Sequence, residues 1–154
     1  MPKLDAKPLL YRMSFRIQER VFHTRIHVFL GYEIEDFHKI LIKRGYEGSF
    51  YGSNTGSRTL GLTSTITHRR SPYRDVAICI PRFQNSVEDH NTLVHEIVHA
   101  VVQIFEDYSV DLNGMTQEFA AEMAGWMYQS IEERIGKNLK KSSRKPSRRG
   151  KKGH

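Results

Sequence analysis

The stretch Thr92-Leu93-Val94-His95-Glu96-Ile97-Val98-His99-Ala100-Val101 decides how this chain of 154 residues is interpreted. It contains His-Glu-x-x-His, and residues four apart on an α-helix lie one turn above each other on the same face. His95 and His99 are therefore predicted to direct two imidazoles at one point, where a tetrahedral Zn²⁺ can bind. Glu96 points in another direction, so it is a poor ligand but well placed to accept a proton from water. The spacing predicts a zinc site of the hydrolytic type.

The residues around this motif predict a buried helix. Glu96 is the only acidic or basic residue, histidines aside, between Thr92 and Val101. Unpaired polar groups in such a helix cost about 1–3 kcal/mol each, so the two histidines need a partner. A metal is one such partner, and hydrogen bonds at a helix edge are the alternative. The predicted apolar stripe consists of Val87, Val94, Ile97, Val98, Val101, Ile104 and Phe105.

Composition limits the class of protein. The length suits one domain with a core of its own, and no window approaches the roughly 18 apolar residues of a membrane span. The first residues lack the apolar region of a secretory signal. Cys79 is the only cysteine, which excludes an internal disulfide and a thiolate zinc site. We therefore expect a cytoplasmic protein that has no membrane partner.

The basic charge is concentrated at the end of the chain. Residues 137–154 contain nine of the 24 Lys and Arg residues and no acid, so the remainder has fifteen basic and 17 acidic residues. We expect a domain over residues 1–136 and a disordered tail over 137–154, because the tail is too charged to pack. Two interpretations of the tail stay open: it binds nucleic acid non-specifically, with a steep salt dependence, or it only keeps the protein soluble.

Hydrophobic periodicity predicts an α+β fold. Alternation from Val21 to Leu30 predicts a strand with one buried face and with His23 and His27 on the solvated face. Residues 1–20 are expected to be a lead-in with a short strand or helix, and residues 46–59 a long glycine-rich connection with a weak strand. The other predicted elements are a helix over 33–44 closed by a left-handed Gly45, strands over 60–67 and 75–81, a helix from Asn85 or Ser86 to Asp107, and a helix over 117–135. Asp89, three residues after Ser86, approximates a capping box at the start of the helix that ends at Asp107. Cys79, inside the strand over 75–81, is predicted to be a small buried hydrophobe.

A catalytic zinc usually has three protein ligands and one open position, so a third ligand is required. The extended pattern HExxHxxGxxH is absent, because Val102 replaces its glycine and Phe105 its last histidine. The acids at the end of the same helix lie too far along its axis. A returning helix is needed, and the helix over 117–135 provides one with Glu118 and Glu122 near its start.

These motifs resemble those of a known family. The stretch Thr92–Ala100 fits the longer zincin pattern, and Glu118-x-x-x-Glu122 looks like the Glu-x-x-x-Asp of the gluzincins. In that clan the first glutamate ligates zinc, and the residue four positions on steadies the first histidine. The spacing is also similar to that of small phage-encoded metallopeptidase-like proteins and, more distantly, of the ImmA/IrrE peptidases. The resemblance covers about residues 75–130.

The resemblance implies a minimal zincin core and a zinc metallopeptidase activity, in the host cytoplasm if the protein is phage-encoded. The core would be a small twisted, mostly antiparallel sheet packed on the HExxH helix. Zn²⁺ would be held by His95, His99 and Glu118, with Glu96 as the base and Glu122, where the clan has Asp, in the outer shell.

The peptide or protein substrate is expected to pair as a strand with the exposed edge of Asp75–Pro81. Tyr108, Tyr73 and His68 are the candidates for an additional oxyanion donor. Two other functions stay open: a nucleic-acid-binding or scaffolding protein with a structural or degenerate zincin core, and a zinc hydrolase acting on other amides.

Overall fold

The protein is described by a computed structural model over residues 10–47 and 60–144. These residues form four strands and three helices, which confirms the α+β class. None of the helices within these ranges is long and apolar enough to cross a membrane. In chain order the elements are β1 (Met13–Gln18), β2 (Arg25–Leu30), α1 (Ile34–Lys43), β3 (Leu62–Thr67), β4 (Arg74–Ile80), α2 (Val87–Asp107) and α3 (Gln117–Ser143).

The strands form one mixed sheet in the order β1-β2-β4-β3. The outer pairings, β1 with β2 and β3 with β4, are antiparallel, whereas β2 and β4 are parallel. The predicted pairing of a substrate with an exposed edge of Asp75–Pro81 is therefore wrong, because β4 has a neighbour on both sides. Among the described residues, β1 and β3 are the edge strands.

Helices cover the sheet from both sides, so the inner strands are buried on both faces. One face packs against α2 and α3, while α1 packs on the other face through Phe37 and Leu41. The prediction that His23 and His27 share a solvated face is wrong for one of them. His23 is exposed, but His27 has only 5% of its surface exposed, because the α1 side of the sheet is also partly covered.

Cys79 packs with Phe37 and Leu41 on the α1 side of the sheet, and it is buried, as predicted. Its thiol donates to the carbonyl oxygen of Tyr32 at 3.3 Å. Burial, followed by the charges of Glu33 and Glu96, raises the pKa of the thiol to about 12. Cys79 is therefore a neutral packing residue rather than a nucleophile.

The start of α2 is set by the predicted capping box. Ser86 Oγ accepts from the backbone N–H of Asp89 at 3.2 Å, and the Asp89 carboxylate accepts from the N–H of Ser86 at 3.1 Å. The apolar stripe is only partly as predicted, because Val87, Val94 and Val98 are exposed. The helix packs through a face rotated away from them, which consists of Leu93, Ile97, Ala100, Val101, Ile104 and Phe105.

The last helix is longer than predicted. It continues through Gly136 to Ser143, so the first residues assigned to a disordered tail are helical. Ile135 is buried and Leu139 packs against the core, which offsets the helix-weakening effect of the glycine. The rest of the predicted tail, residues 145–154, lies outside the described residues, as does most of the predicted connection over 46–59 with its weak strand.

Candidate metal centre

The histidine pair lies on the solvent-facing side of α2, one helical turn apart. His95 Nε2 and His99 Nε2 are 3.0 Å apart, and the two ring centroids are 4.6 Å apart. Two nitrogens bound at about 2.0–2.1 Å to one tetrahedral ion lie about 3.3–3.4 Å from each other. The separation is therefore close to that of two ligands on one ion. It is equally a hydrogen bond between one ring N–H and the other ring nitrogen.

Glu96 has a different environment from the two histidines, because it faces the sheet and only 6% of its surface is exposed. Thr63 in the edge strand β3 holds it: Thr63 Oγ1 lies 2.5 Å from Glu96 Oε2 and 3.0 Å from its carbonyl oxygen. The remaining oxygen, Oε1, has no hydrogen bond to another described residue. Among the described residues, Glu96 is therefore held at Oε2 by Thr63, and Oε1 has no partner.

Gly61 lies just before β3 and makes room for this carboxylate. A Cβ at position 61 would come within 2.8 Å of both Cγ and Oε1 of Glu96 and within 2.9 Å of Thr92 Cγ2. A side chain at position 61 would therefore require the Glu96 or Thr92 side chain to shift. Sequence reasoning missed both Gly61 and Thr63, since neither belongs to a motif and the residues lie more than thirty positions before Glu96.

The structure does not bring Glu118 to the histidine pair. Among the described residues, no group of three His, Cys, Asp or Glu side chains could hold a metal ion. Glu118 and Glu122 are both exposed on α3, whose buried residues are Met123, Met127, Ile131 and Ile135. The predicted roles of Glu118 and Glu122 stay predictions.

The three candidate oxyanion donors lie in separate places. Tyr108 donates to the carbonyl oxygen of Phe22 at 3.0 Å, after the end of α2. Tyr73 is 68% exposed. His68 contacts the residues that follow α1, with Nε2 lying 3.1 Å from the carbonyl oxygen of Arg44. His68 therefore lies on the α1 side of the sheet, and its prediction as a donor at the histidine pair is not supported by its contacts.

The assignment of a function to this chain depends on its own residues, because the comparisons with known proteins found no match. No family model matches the chain, and neither a curated protein nor a solved structure matches it.

The donor set fits a zinc ion in part. The two imidazoles have the correct chemistry and nearly the correct separation, and both are accessible. The buried glutamate beside them on the helix has one carboxylate oxygen held by Thr63 and, among the described residues, no partner at the other. The described residues bring together these two candidate ligands and no third.

Proposed function

We propose that this chain is a zinc-dependent metallopeptidase with His95 and His99 as metal ligands and Glu96 as the general base. The observation that supports it most is the 3.0 Å separation of the two Nε2 atoms on an accessible helix face. A bound zinc ion supplies the Lewis acidity that makes water a nucleophile near neutral pH.

The protein's own residues would handle the proton. Glu96 would accept it from the attacking water at Oε1, because Oε2 is occupied by the Thr63 hydroxyl. The same carboxyl would then pass the proton to the departing amine nitrogen of the substrate. Thr63 and Gly61 act as positioning residues, since each fixes where the carboxylate lies.

The edge of β3 is the part of the sheet best placed to bind an extended peptide. Among the described residues it pairs with β4 alone, and Thr63 connects it directly to Glu96. A peptide added to a sheet edge gains main-chain hydrogen bonds along its length. This edge replaces the β4 edge predicted from the sequence.

Glu118 remains our proposal for the third ligand, and metal content tests it. We expect His95→Ala to lose most of the bound zinc and Glu118→Ala to retain clearly less than wild type. Glu133→Ala is the matched control, because Glu133 is another exposed glutamate on α3. The measurement is zinc per chain by mass spectrometry after dialysis against a weak chelator.

The outcomes separate the two parts of the assignment. Wild-type zinc in Glu118→Ala with loss in His95→Ala would reject Glu118 and leave the histidine pair as ligands. Wild-type zinc content in purified His95→Ala, or no zinc in wild type under saturating conditions, would reject the metallopeptidase proposal.

A second candidate function is non-specific nucleic-acid binding with a degenerate zincin core. Two observations favour it: the missing third ligand among the described residues, and four exposed basic residues near the end of α3, Lys137, Lys140, Lys141 and Arg144. Replacing these four by glutamine keeps Leu139 packed and should weaken duplex DNA retention in a mobility-shift assay. Unchanged retention would contradict this candidate.

A further inference from the structure

The α1 face of the sheet carries a cavity that the histidine pair does not explain. Its volume is about 740 Å³, and four arginines line it: Arg16, Arg25, Arg44 and Arg70. We call it the arginine pocket. Arg16 and Arg25 belong to the adjacent strands β1 and β2, whereas Arg44 follows α1 and Arg70 follows β3. Four separate parts of the chain therefore place a cation around one cavity.

These guanidinium groups are compared with three other described arginines that have an acidic partner. Arg12, Arg74 and Arg82 each lie within 4.0 Å of a carboxylate. Within the described ranges, Arg16, Arg44 and Arg70 form no such ion pair. Like charges gathered around one cavity repel each other, so an arrangement of this kind favours an anionic occupant.

Arg25 is the exception, because it forms an ion pair with Asp75. Arg25 Nε lies 3.2 Å from Asp75 Oδ1 and 3.1 Å from Oδ2. A guanidinium has five N–H donors, so the four on its Nη atoms remain for another acceptor. Asp75 is 2% exposed and thus acts as a buried anchor that orients one cation of the pocket.

Two further side chains complete this anchor. Tyr46 Oη donates its one proton to Asp75 Oδ2 at 2.7 Å. His27 Nε2 is therefore the donor in its contact with Tyr46 Oη, at 2.9 Å, and it also lies 3.4 Å from the same carboxylate oxygen. Burial alone raises the pKa of Asp75, but the hydrogen bonds from His27, Tyr46 and Arg25 lower it overall. The Asp75 carboxylate that holds Arg25 beside the pocket is therefore an ionised group with three hydrogen-bond partners.

We propose that the arginine pocket binds a phosphorylated small molecule of nucleotide size. Guanidinium groups bind phosphate oxygens through two parallel hydrogen bonds, and several of them match a ligand with more than one negative charge. The volume lies within the range of about 300–1,000 Å³ that small-molecule sites occupy. The four arginines line one cavity instead of following a stripe, which favours a compact ligand over a nucleic-acid backbone.

Binding of ATP and of inorganic triphosphate to the full-length protein tests the proposal. The titrations are made by calorimetry in EDTA and physiological salt, so that a metal at the histidine pair contributes nothing. We expect the double variant Arg16→Gln with Arg70→Gln to weaken binding at least tenfold. Arg12→Gln with Arg82→Gln removes the same charge elsewhere and should change affinity less than twofold.

A second double variant tests the geometry of recognition. Arg16→Lys with Arg70→Lys keeps the charge and loses the paired donors, so its affinity should lie between those of wild type and the glutamine variant. Melting temperatures of all variants control for folding, and the replaced side chains are exposed.

Three results would overturn the proposal. The first is that neither ATP nor triphosphate binds, and the second is that the Arg12 and Arg82 control loses as much affinity as the pocket variant. The third is that a 20-base-pair DNA duplex displaces the triphosphate while losing affinity in the pocket variant, which would assign the pocket to nucleic acid instead.

Discussion

The two faces of the sheet carry polar groups in contrasting ways. On the α2 face, Glu96 reaches Thr63 in β3, and the two histidines lie on the same helix within five residues of sequence. On the α1 face, Arg25 and His27 of β2 meet Asp75 of β4, which is about fifty positions away. The two histidines and Glu96 are close together in the sequence, and the histidines are exposed. Arg25, His27 and Asp75 are brought together by the pairing of β2 with β4, and His27 and Asp75 are buried.

We therefore expect the polar residues of the α2 face to affect metal binding and hydrolysis, and those of the α1 face to affect folding stability. The exposed histidines make few contacts with the core, so replacing them should alter metal binding more than folding. Asp75 is buried among three hydrogen-bond donors, so replacing it should alter folding first. The four variants below test that division, in order of decreasing effect.

Glu96→Gln should have the largest effect, on activity alone. Loss of the proton acceptor is expected to lower peptide hydrolysis about 1,000-fold, within the range for a general base, while zinc content stays at the wild-type level. Hydrolysis of a fluorogenic peptide library and zinc analysis measure the two quantities. Glu106→Gln, an exposed glutamate on the same helix, is the control, and a drop of equal size in that variant would contradict the role of Glu96.

Asp75→Ala should destabilise the protein by about 3–5 kcal/mol, because it leaves a partly buried cation and two hydrogen-bond donors without their acceptor. Urea unfolding followed by circular dichroism measures this, with zinc content unchanged. Asp36→Ala, which removes an exposed ion pair with Arg12, should cost no more than about 1 kcal/mol.

The pH dependence of the Asp75→Ala effect has a definite sign. The pKa of Asp75 is lowered on folding, so its contribution is complete above the ordinary aspartate value and is lost as the pH falls through the folded value. The difference in unfolding free energy between wild type and variant should therefore be full at pH 7 and shrink below about pH 4. A difference that grows on acidification would refute the ionised anchor.

Gly61→Ala tests whether the position of Glu96 matters, since the new methyl group would come within 2.8 Å of the carboxylate. We expect hydrolysis to fall about 100-fold, the order expected for a displacement of about 1 Å in a catalytic group. Gly125→Ala is the control, because no atom lies within 4 Å of a Cβ there. Unchanged hydrolysis in Gly61→Ala would show that this contact does not position the base.

Gly136→Ala should have the smallest effect and the opposite sign. Apart from the neighbouring backbone of α3, no atom of the described residues lies within 4 Å of a Cβ at this position, so the substitution should stabilise the protein by about 0.5–1 kcal/mol. Thermal unfolding measures the gain. Destabilisation would indicate that the helix ends at Gly136, as the sequence alone suggested.

The predictions from sequence succeeded where the signal is local. The capping box at Ser86, the limits of α2 and the buried state of Cys79 each follow from a few neighbouring residues, and all three are confirmed. Gly45 also has the predicted left-handed conformation, with φ of 94°. The class of fold follows from the periodicity of the elements.

They failed where distant parts of the chain meet. His27 alternates with apolar residues as a solvated residue would, yet the chain around Tyr46 and β4 buries it. The helix α3 passes Gly136 because Leu139 packs against the core. The β4 edge is covered because β2 pairs with β4 in parallel, a connection that no local pattern specifies.

By itself the sequence determined the pairing of His95 with His99 and the neighbouring position of Glu96, because helical spacing depends only on residues within a turn of one another. Only the tertiary structure decided that Thr63 and Gly61 hold the Glu96 carboxylate and that four arginines surround one cavity. The physical reason is that strand order and helix packing bring together side chains that are far apart along the chain. Contacts of this kind produce no periodic pattern in the sequence.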